Sequence, residues 1–211
     1  MMPTPDEILN GLSEIANNWR ALAIFWHVYF GVLAILLLQG ARPPRRVAGV
    51  LLGLPLLSVS VLAWINGNPF NGTFFAVSGI ALIALSTRLS HDRVRVASRW
   101  PATVGVLLFA FGWVYPHFLN TSSFLPYLYS APTGLIPCPT LSIVIGLALV
   151  LGGLGSRAWS LVLGLTGIFY GLFGSVRLGV PIDWVLLLGA LTIVFFVVVE
   201  RRGAKANAFQ Q

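Results

Sequence analysis

Residues 21–38, "ALAIFWHVYFGVLAILLL", decide the fold class, because the stretch is apolar throughout and contains no Asp, Glu, Lys or Arg. As a helix it would be about 27 Å long at 1.5 Å per residue, close to the ~30 Å hydrocarbon core of a bilayer. The whole chain has the same character, with 57% hydrophobic and only 9% charged residues. Soluble domains carry roughly a quarter charged residues, so the sequence predicts a membrane protein.

Six further apolar segments follow, and the sequence therefore predicts an all-α fold: a polytopic transmembrane helical bundle of seven spans. These segments are residues 47–65, 73–86, 102–115, 140–154, 158–173 and 182–199. Several are shorter than the ~20 residues that a perpendicular span needs. Six spans with one re-entrant segment is therefore the alternative. We predict that the bundle comprises residues 20–200 and is followed by a cytoplasmic tail, residues 201–211.

Residues 1–19 predict a short amphipathic helix that lies along the membrane surface. Thr4 and Glu7 have the spacing of a capping box, and Pro5 suits the first helical position. A helix with one apolar face lies in the membrane interface with that face toward the lipid. The apolar face here consists of Ile8, Leu9, Leu12, Ile15, Ala16 and Trp19.

Arginine placement predicts the orientation, because Lys and Arg are in excess in cytoplasmic loops. With seven alternating spans, "RPPRR" (residues 42–46), "RLSHDRVRVASR" (residues 88–99), Arg157 and the basic tail all fall on one side. We therefore predict an outside N-terminus, a cytoplasmic C-terminus and a bacterial cytoplasmic (inner) membrane location. The net charge of +7 is then an orientation signal, with membrane lipid and not nucleic acid as the partner.

The stretch "GLIPCPT", residues 134–140, contains the lone cysteine between two prolines. Pro137 favours an extended residue before it, and Pro139 suits the first position of a helix. A helix over residues 140–154 would be about 22 Å long, too short to reach both membrane surfaces. Non-helical backbone below the surface must be buried in protein or line a cavity. The sequence thus predicts an outward-facing cavity with Pro137, Cys138, Pro139 and Thr140 as its floor; plain packing of this loop is the alternative.

Other unusual residues fall on the same predicted side and are candidate walls of this cavity. They are Trp26, His27, Asn66, Asn68, Tyr115, His117, Arg177 and Asp183. Asp183 begins the last span, where a carboxylate is also favoured simply by the helix dipole. His27 could equally be an interior histidine that is hydrogen-bonded to a neighbouring helix.

The chain resembles a family of bacterial integral membrane proteins of similar length that is known only as a domain of unknown function. The residues that carry the resemblance are Gly134, Leu135, Pro137, Cys138, Pro139, Thr140, Gly146 and Leu147, with an upstream Tyr115-Pro116 pair. The resemblance implies a helical bundle in the cytoplasmic membrane and implies no reaction. His27 and His117 match nothing in the family pattern.

The leading hypothesis is a multi-pass membrane protein whose outward-facing cavity binds a small solute or a lipid headgroup, as a small transporter. One alternative is a non-catalytic subunit or scaffold that meets a protein partner, or a second copy, through small-residue faces. The glycine pairs Gly49/Gly53 and Gly167/Gly171 could form such faces, although their spacing first of all favours packing between helices within the bundle. The other alternative is a membrane enzyme or a metal- or haem-binding protein that uses His27, His117 and Cys138. A non-enzymatic role is favoured, and the sequence predicts neither a catalytic residue nor a cofactor.

Overall fold

The fold is all-α, as predicted. The computed structural model describes residues 4–208, and side chains over residues 4–199; within these bounds the chain forms nine α-helices and no β-strand. The helices are α1 (Pro5–Asn18), α2 (Arg20–Leu38), α3 (Arg45–Ile65), α4 (Pro69–Thr87), α5 (Arg99–Val114), α6 (Tyr127–Ser130), α7 (Pro137–Val150), α8 (Arg157–Leu172) and α9 (Asp183–Ala208).

Each of the seven predicted apolar segments coincides with a helix, from α2 to α5 and from α7 to α9. Four helical stretches are long and apolar enough to cross a membrane: α2, α3, α4 and Arg157–Arg177, which extends α8. Helices α5 and α7, and the part Asp183–Val199 of α9, are shorter apolar helices. Because α9 continues to Ala208, residues 201–208 of the predicted tail extend the last helix, and residues 209–211 lie outside the described chain.

Helix α7 occupies the centre of the bundle. It packs against α3, α5, α8 and α9, and every residue from Pro137 to Leu149 is buried except the half-buried Cys138. A helix that is apolar on all sides is typical of such a fully enclosed position. Its 14 residues span about 21 Å. Because protein surrounds α7, its length does not have to match the thickness of a bilayer.

Helices α5 and α7 cross in backbone contact at facing glycines. A Cβ atom added to Gly146 would lie 2.6 Å from the carbonyl oxygen of Gly105 and 2.6 Å from the amide nitrogen of Phe109. Farther along α5, a Cβ atom at Gly112 would lie 2.7 Å from the carbonyl oxygen of Pro139. Small residues allow helices to approach this closely, so these glycines hold α5 against the central helix.

The turn after α7 corrects the predicted fifth span, which was expected to run to residue 154. The helix ends at Val150, and a left-handed turn follows over Gly152–Gly155, where Leu154 has a φ of 55°. Glycine adopts positive φ without the Cβ clash that other residues suffer. The "GGLG" sequence was assigned to the span because hydropathy carries no information on backbone conformation.

Helix α1 begins with the predicted capping box, in which Thr4 and Glu7 each accept the other's backbone N–H through the side chain. The Ser13 hydroxyl and the Asn17 amide donate to the carbonyl oxygen of Phe118, at 3.1 Å and 2.9 Å. Helix α1 is therefore docked on the bundle over the segment that follows α5. The side chains that it buries there are Leu12, Ile15 and Ala16.

The arginine-rich loops share one end of the bundle, which we call the arginine end. The Val94 N–H, after α4, donates to the carbonyl of Pro43, after α2, at 3.0 Å. The Ala97 N–H donates to the carbonyl of Val150, the last residue of α7, at 2.9 Å. The opposite end, on which α1 lies, is called the α1 end. Alternating helices thus separate the arginine-rich loops from the loops that contain the candidate wall residues.

Candidate functional site

A buried polar cluster lies at the α1 end, where three helices meet. Asp183, the first residue of α9, is 2% exposed. The Tyr115 hydroxyl, at the end of α5, donates to Oδ1 of Asp183 at 2.7 Å. The Cys138 thiol, in the first turn of α7, lies beside the same carboxyl group. We call Tyr115, Cys138 and Asp183 the carboxylate cluster.

A glycine in a distorted helical turn makes room for Asp183. Helix α8 ends in a π-helical turn over Phe173–Arg177, a feature that often marks functional sites. A Cβ atom at Gly174 would overlap the carboxyl group of Asp183. The immediate neighbours of this group are therefore a hydroxyl, a thiol and a bare backbone, none of which carries a positive charge. Carboxylates inside membrane helices are costly and mark ion, proton or substrate pathways.

A small cavity extends the cluster toward α4. The Tyr170 hydroxyl of α8 donates to Oδ1 of Asn71 at 2.9 Å. Tyr170, Asn71, Cys138 and Asp183 all line a cavity of about 20 Å³, which is room for one water molecule. Cys138 and Asp183 of the carboxylate cluster and the Asn71–Tyr170 pair therefore face the same small cavity.

A much larger cavity, which we call the α1 groove, lies between α1 and the loop that joins α3 to α4. Its volume is about 670 Å³, and Asn66 and Asn68 contribute their side chains to its wall. Ligand sites in proteins have volumes of roughly 300–1,000 Å³. Only a thin layer of side chains separates the groove from the small cavity. Four residues line both: Ile8, Leu12, Asn71 and Pro137.

The structure brings together half of the predicted site residues. In the carboxylate cluster these are Tyr115, Cys138 and Asp183; in the wall of the α1 groove they are Asn66, Asn68 and Pro137. The remaining predicted residues hold the fold or lie on the surface: Trp26, His27, His117, Pro139, Thr140 and Arg177.

Trp26 and His27 attach α2 to the bundle and do not line the groove. The Trp26 indole N–H donates to the Ser58 hydroxyl at 3.0 Å. The buried His27 ring has Nδ1 at 2.9 Å from the Ala23 carbonyl oxygen and Nε2 at 3.0 Å from the Trp113 carbonyl oxygen. A carbonyl oxygen lies against each ring nitrogen, so neither nitrogen is open to a metal.

The Pro-Cys-Pro stretch is helical, which corrects the prediction of a non-helical entry. Helix α7 begins at Pro137, with Ile136 as the residue before its first turn. The first four N–H groups of any helix have no partner within the helix, so prolines at 137 and 139 cost no hydrogen bond. They also remove two of the donors that were expected to face a ligand.

Thr140 ties the loop before α7 to the helix. Its hydroxyl donates to the Ile136 carbonyl at 2.6 Å and accepts from the Gly134 N–H at 2.8 Å. The residue is fully buried, and both hydrogen bonds of its hydroxyl are made to backbone. Thr140 therefore has a structural role.

His117 and Arg177 are exposed and lie apart from the carboxylate cluster. The His117 ring contacts Phe118, with ring centroids 4.2 Å apart, and desolvation lowers the pKa of His117. Within the described part of the chain, no three His, Cys, Asp or Glu residues gather as a metal site would require. The geometry therefore does not favour a metal or haem site formed by His27, His117 and Cys138.

Sequence reasoning missed Asn71, Tyr170 and Gly174. Asn71 and Tyr170 are 99 residues apart, and no local pattern joins them. One signal was available, because both lie near the predicted outer ends of their spans. Sorting every polar or hydroxyl-bearing side chain by end would have placed them with Asp183.

The four glycines predicted to face a partner are buried within the chain. A Cβ atom at Gly49 would collide with Ser86 of α4, and one at Gly167 would lie 2.5 Å from Ile145 of α7. Gly53 and Gly171 likewise face side chains or backbone of neighbouring helices. These positions pack helices within the bundle, and any partner of this protein would need another surface.

Comparison of the chain with protein-family models, curated proteins and solved structures finds no match. The resemblance to bacterial membrane proteins of unknown function therefore stays a prediction. The candidate site of this chain consists of the carboxylate cluster and the α1 groove.

The Tyr115–Asp183 hydrogen bond should contribute measurably to stability. We expect Tyr115→Phe to lower the free energy of unfolding by about 2 kcal/mol, because it leaves a buried carboxyl group without its hydroxyl donor. Thermal unfolding of the purified protein in detergent measures this loss. Tyr129→Phe is the matched control, since Tyr129 is 49% exposed. Equal stability of the two variants would contradict the hydrogen bond.

Proposed function

We propose that this chain is a seven-span protein of a bacterial inner membrane, with its α1 end outside and its arginine end in the cytoplasm. Seven apolar helices support the number of spans, and four of the helical stretches are individually long enough to cross a membrane. The meeting of the arginine-rich loops at one end supports the orientation, because such loops stay in the cytoplasm.

We further propose that the α1 groove binds a small polar solute or a lipid headgroup, and that the protein transports this ligand. The observation that carries the proposal is that a groove of about 670 Å³ shares four lining residues with the small cavity at Asp183, a buried carboxyl group whose described neighbours are a hydroxyl, a thiol and a glycine backbone. Asn66 and Asn68 line the groove. The Asn66 side-chain amide N–H donates to the Leu62 carbonyl and Asn68 Oδ1 accepts the Asn71 N–H, so the amide groups that remain for a ligand are the Asn66 Oδ1 acceptor and the Asn68 Nδ2 donor. Such a wall suits an uncharged polar ligand or a zwitterion.

In this proposal Asp183 couples transport to a proton. A buried carboxylate without a cationic partner is costly, and uptake of a proton removes that cost. The Tyr115 hydroxyl donates to Oδ1 and so stabilises the anion whenever the proton has left. Movement of a ligand from the groove to Asp183 then changes the environment of the carboxyl group, which is the basis of coupling.

Helix α1 controls access in this mechanism. Ile8 and Leu12 separate the groove from the small cavity that contains Asp183. Three hydrogen bonds join α1 to the segment after α5: Ser13 and Asn17 donate to the Phe118 carbonyl, and the Asn120 N–H donates to Asn17 Oδ1 at 2.9 Å. These three bonds must break for α1 to tilt and open the path to the cluster.

A thermal-stability screen of the purified protein against amino acids, sugars, polyols and headgroup analogues tests the proposal. A ligand of the folded state raises the unfolding temperature by mass action. Gly11 faces the groove, and a Cβ atom there meets no atom within 4 Å. We expect Gly11→Trp to fill the groove and abolish the shift, and Gly11→Ala to retain it. A shift that survives Gly11→Trp would place the ligand elsewhere.

A further inference from the structure

A second large cavity lies at the arginine end, opposite the α1 groove. Its volume is about 570 Å³, and it is bounded by α2, α3 and α7. Leucines dominate its wall, so its interior suits hydrocarbon rather than a polar solute. Six of these leucines are Leu36, Leu37, Leu51, Leu52, Leu147 and Leu151.

The cavity lies beside the second half of α2, whereas the polar links of α2 to the bundle lie in its first half. The polar links of α2 come from Trp26 and His27, described above, and from the Tyr29 hydroxyl, which donates to the Leu51 carbonyl at 2.9 Å. Beyond Tyr29, the side chains of Leu33, Leu36 and Leu37 face the cavity. Leu36 remains 45% exposed, so the cleft also opens sideways, where lipid would surround the helix.

Basic side chains stand at the mouth of this apolar cleft. Arg42, His91 and Arg93 line it. The Arg42 guanidinium is held at the rim, where Nη1 donates to the Leu37 carbonyl at 3.0 Å and to the Ala41 carbonyl at 2.8 Å. Arg93 is exposed and lies in the antiparallel bridge that joins its loop to Pro44.

Asp92, the acidic residue of this loop, does not neutralise the positive charge at the cavity entrance. Asp92 lies outside the cavity lining, and its carboxylate accepts a hydrogen bond from the Ser90 hydroxyl at 2.8 Å. The Asp92 carbonyl also accepts the Arg45 N–H at 2.9 Å, which fixes the bridge. The cleft is therefore apolar inside and positively charged at its entrance.

We propose that this cavity binds an anionic phospholipid, with an acyl chain among the leucines and the phosphate at Arg42 and Arg93. Guanidinium groups pair with phosphate through parallel N–H···O hydrogen bonds. The lipid would fill the space between the second half of α2 and the bundle. This inference concerns the end opposite the α1 groove and does not depend on the groove's having a ligand.

Competitive lipid retention tests the proposal on the purified full-length chain. The protein in detergent receives equal amounts of phosphatidylglycerol and phosphatidylcholine with identical acyl chains, and native mass spectrometry counts the bound molecules. We expect the unaltered protein to retain phosphatidylglycerol preferentially. Each basic residue near an anionic surface contributes about 1 kcal/mol, so Arg42→Gln with Arg93→Gln should lower this preference roughly tenfold or more.

Two further variants distinguish lipid binding in the cavity from unspecific attraction to the charged surface. Arg95→Gln, on the same loop but outside the cavity lining, should retain the preference of the unaltered protein. Leu36→Trp, at the half-open side of the cleft, should reduce retention of both lipids. Because Leu36 is already partly exposed, this variant should fold, and unfolding temperatures confirm that it does.

Three outcomes would overturn the proposal. The first is an unchanged lipid preference in the double arginine variant. The second is an equal loss of preference with Arg95→Gln, which would indicate unspecific charge attraction. The third is displacement of phosphatidylglycerol by inorganic phosphate at equal concentration, which would indicate an anion site without an acyl-chain cavity. Gly11→Trp lies at the other end of the bundle and should leave lipid retention unchanged. The two proposals can therefore fail independently of each other.

Discussion

Gly146→Ala is expected to lower the free energy of unfolding by about 3 kcal/mol, at the upper end of what overpacking usually costs. The added methyl group would lie 2.6 Å from two backbone atoms, the carbonyl oxygen of Gly105 and the amide nitrogen of Phe109. Backbone atoms cannot rotate away as a side chain can. Helices α5 and α7 must therefore separate, and the packing around the central helix is lost with them.

Gly11→Ala is the matched control for this prediction. Gly11 also lies inside a helix, but a Cβ atom there meets no atom within 4 Å. Alanine is favoured over glycine in helices by up to about 1 kcal/mol, so this variant should be as stable as the unaltered protein or more so. Circular dichroism during thermal unfolding in detergent measures both changes. Unchanged stability of Gly146→Ala would mean that α5 and α7 do not cross in backbone contact.

Asp183→Asn is expected to abolish transport while the fold is preserved. Asparagine has nearly the shape of aspartic acid and can still accept the hydrogen bond from the Tyr115 hydroxyl. Its side-chain amide, however, does not gain or lose a proton near neutral pH. If Asp183 carries the coupled proton, uptake into proteoliposomes of a ligand found in the stability screen should fall by at least about tenfold, since a charge in a membrane interior changes energies by several kcal/mol.

Asp92→Asn provides the comparison for Asp183→Asn. It removes the same charge at an exposed loop position at the arginine end, and uptake should remain normal. Asp183→Asn should also unfold at or above the temperature of the unaltered protein, because it removes a buried carboxylate that has no cationic partner. Full uptake by a well-folded Asp183→Asn variant would show that Asp183 does not carry the coupled proton. Its role would then be to cap α9, which its position also permits.

Much of the fold follows from the sequence because apolar length is a local property. All seven apolar segments are helices, and the Thr4–Glu7 capping box starts α1 as its spacing predicts. Helix α7 begins three residues before the predicted residue 140, because the two prolines do not break the helix. They instead occupy positions in the first turn where no N–H is needed. The end of α7 was placed too late because the left-handed glycine turn is itself apolar.

The sequence predicts at which end of the bundle the candidate site lies. It does not predict which side chains on each helix point into the site. Sorting polar residues by end selected Tyr115, Cys138 and Asp183, which the fold does bring together. The same sorting selected Trp26 and His27, which point toward Ser58 and Trp113. Which face of a span turns inward depends on how neighbouring helices pack, and one sequence carries little of that information.

The enclosure of α7 has a consequence for the order of assembly during synthesis. Helix α7 packs against α3 and α5, which are made before it, and against α8 and α9, which are made after it. The last of these neighbours, α9, is synthesised only after α8. Until then α7 has only part of its protein surroundings, so a nascent chain that stops before α9 would leave its innermost helix exposed to quality-control proteases.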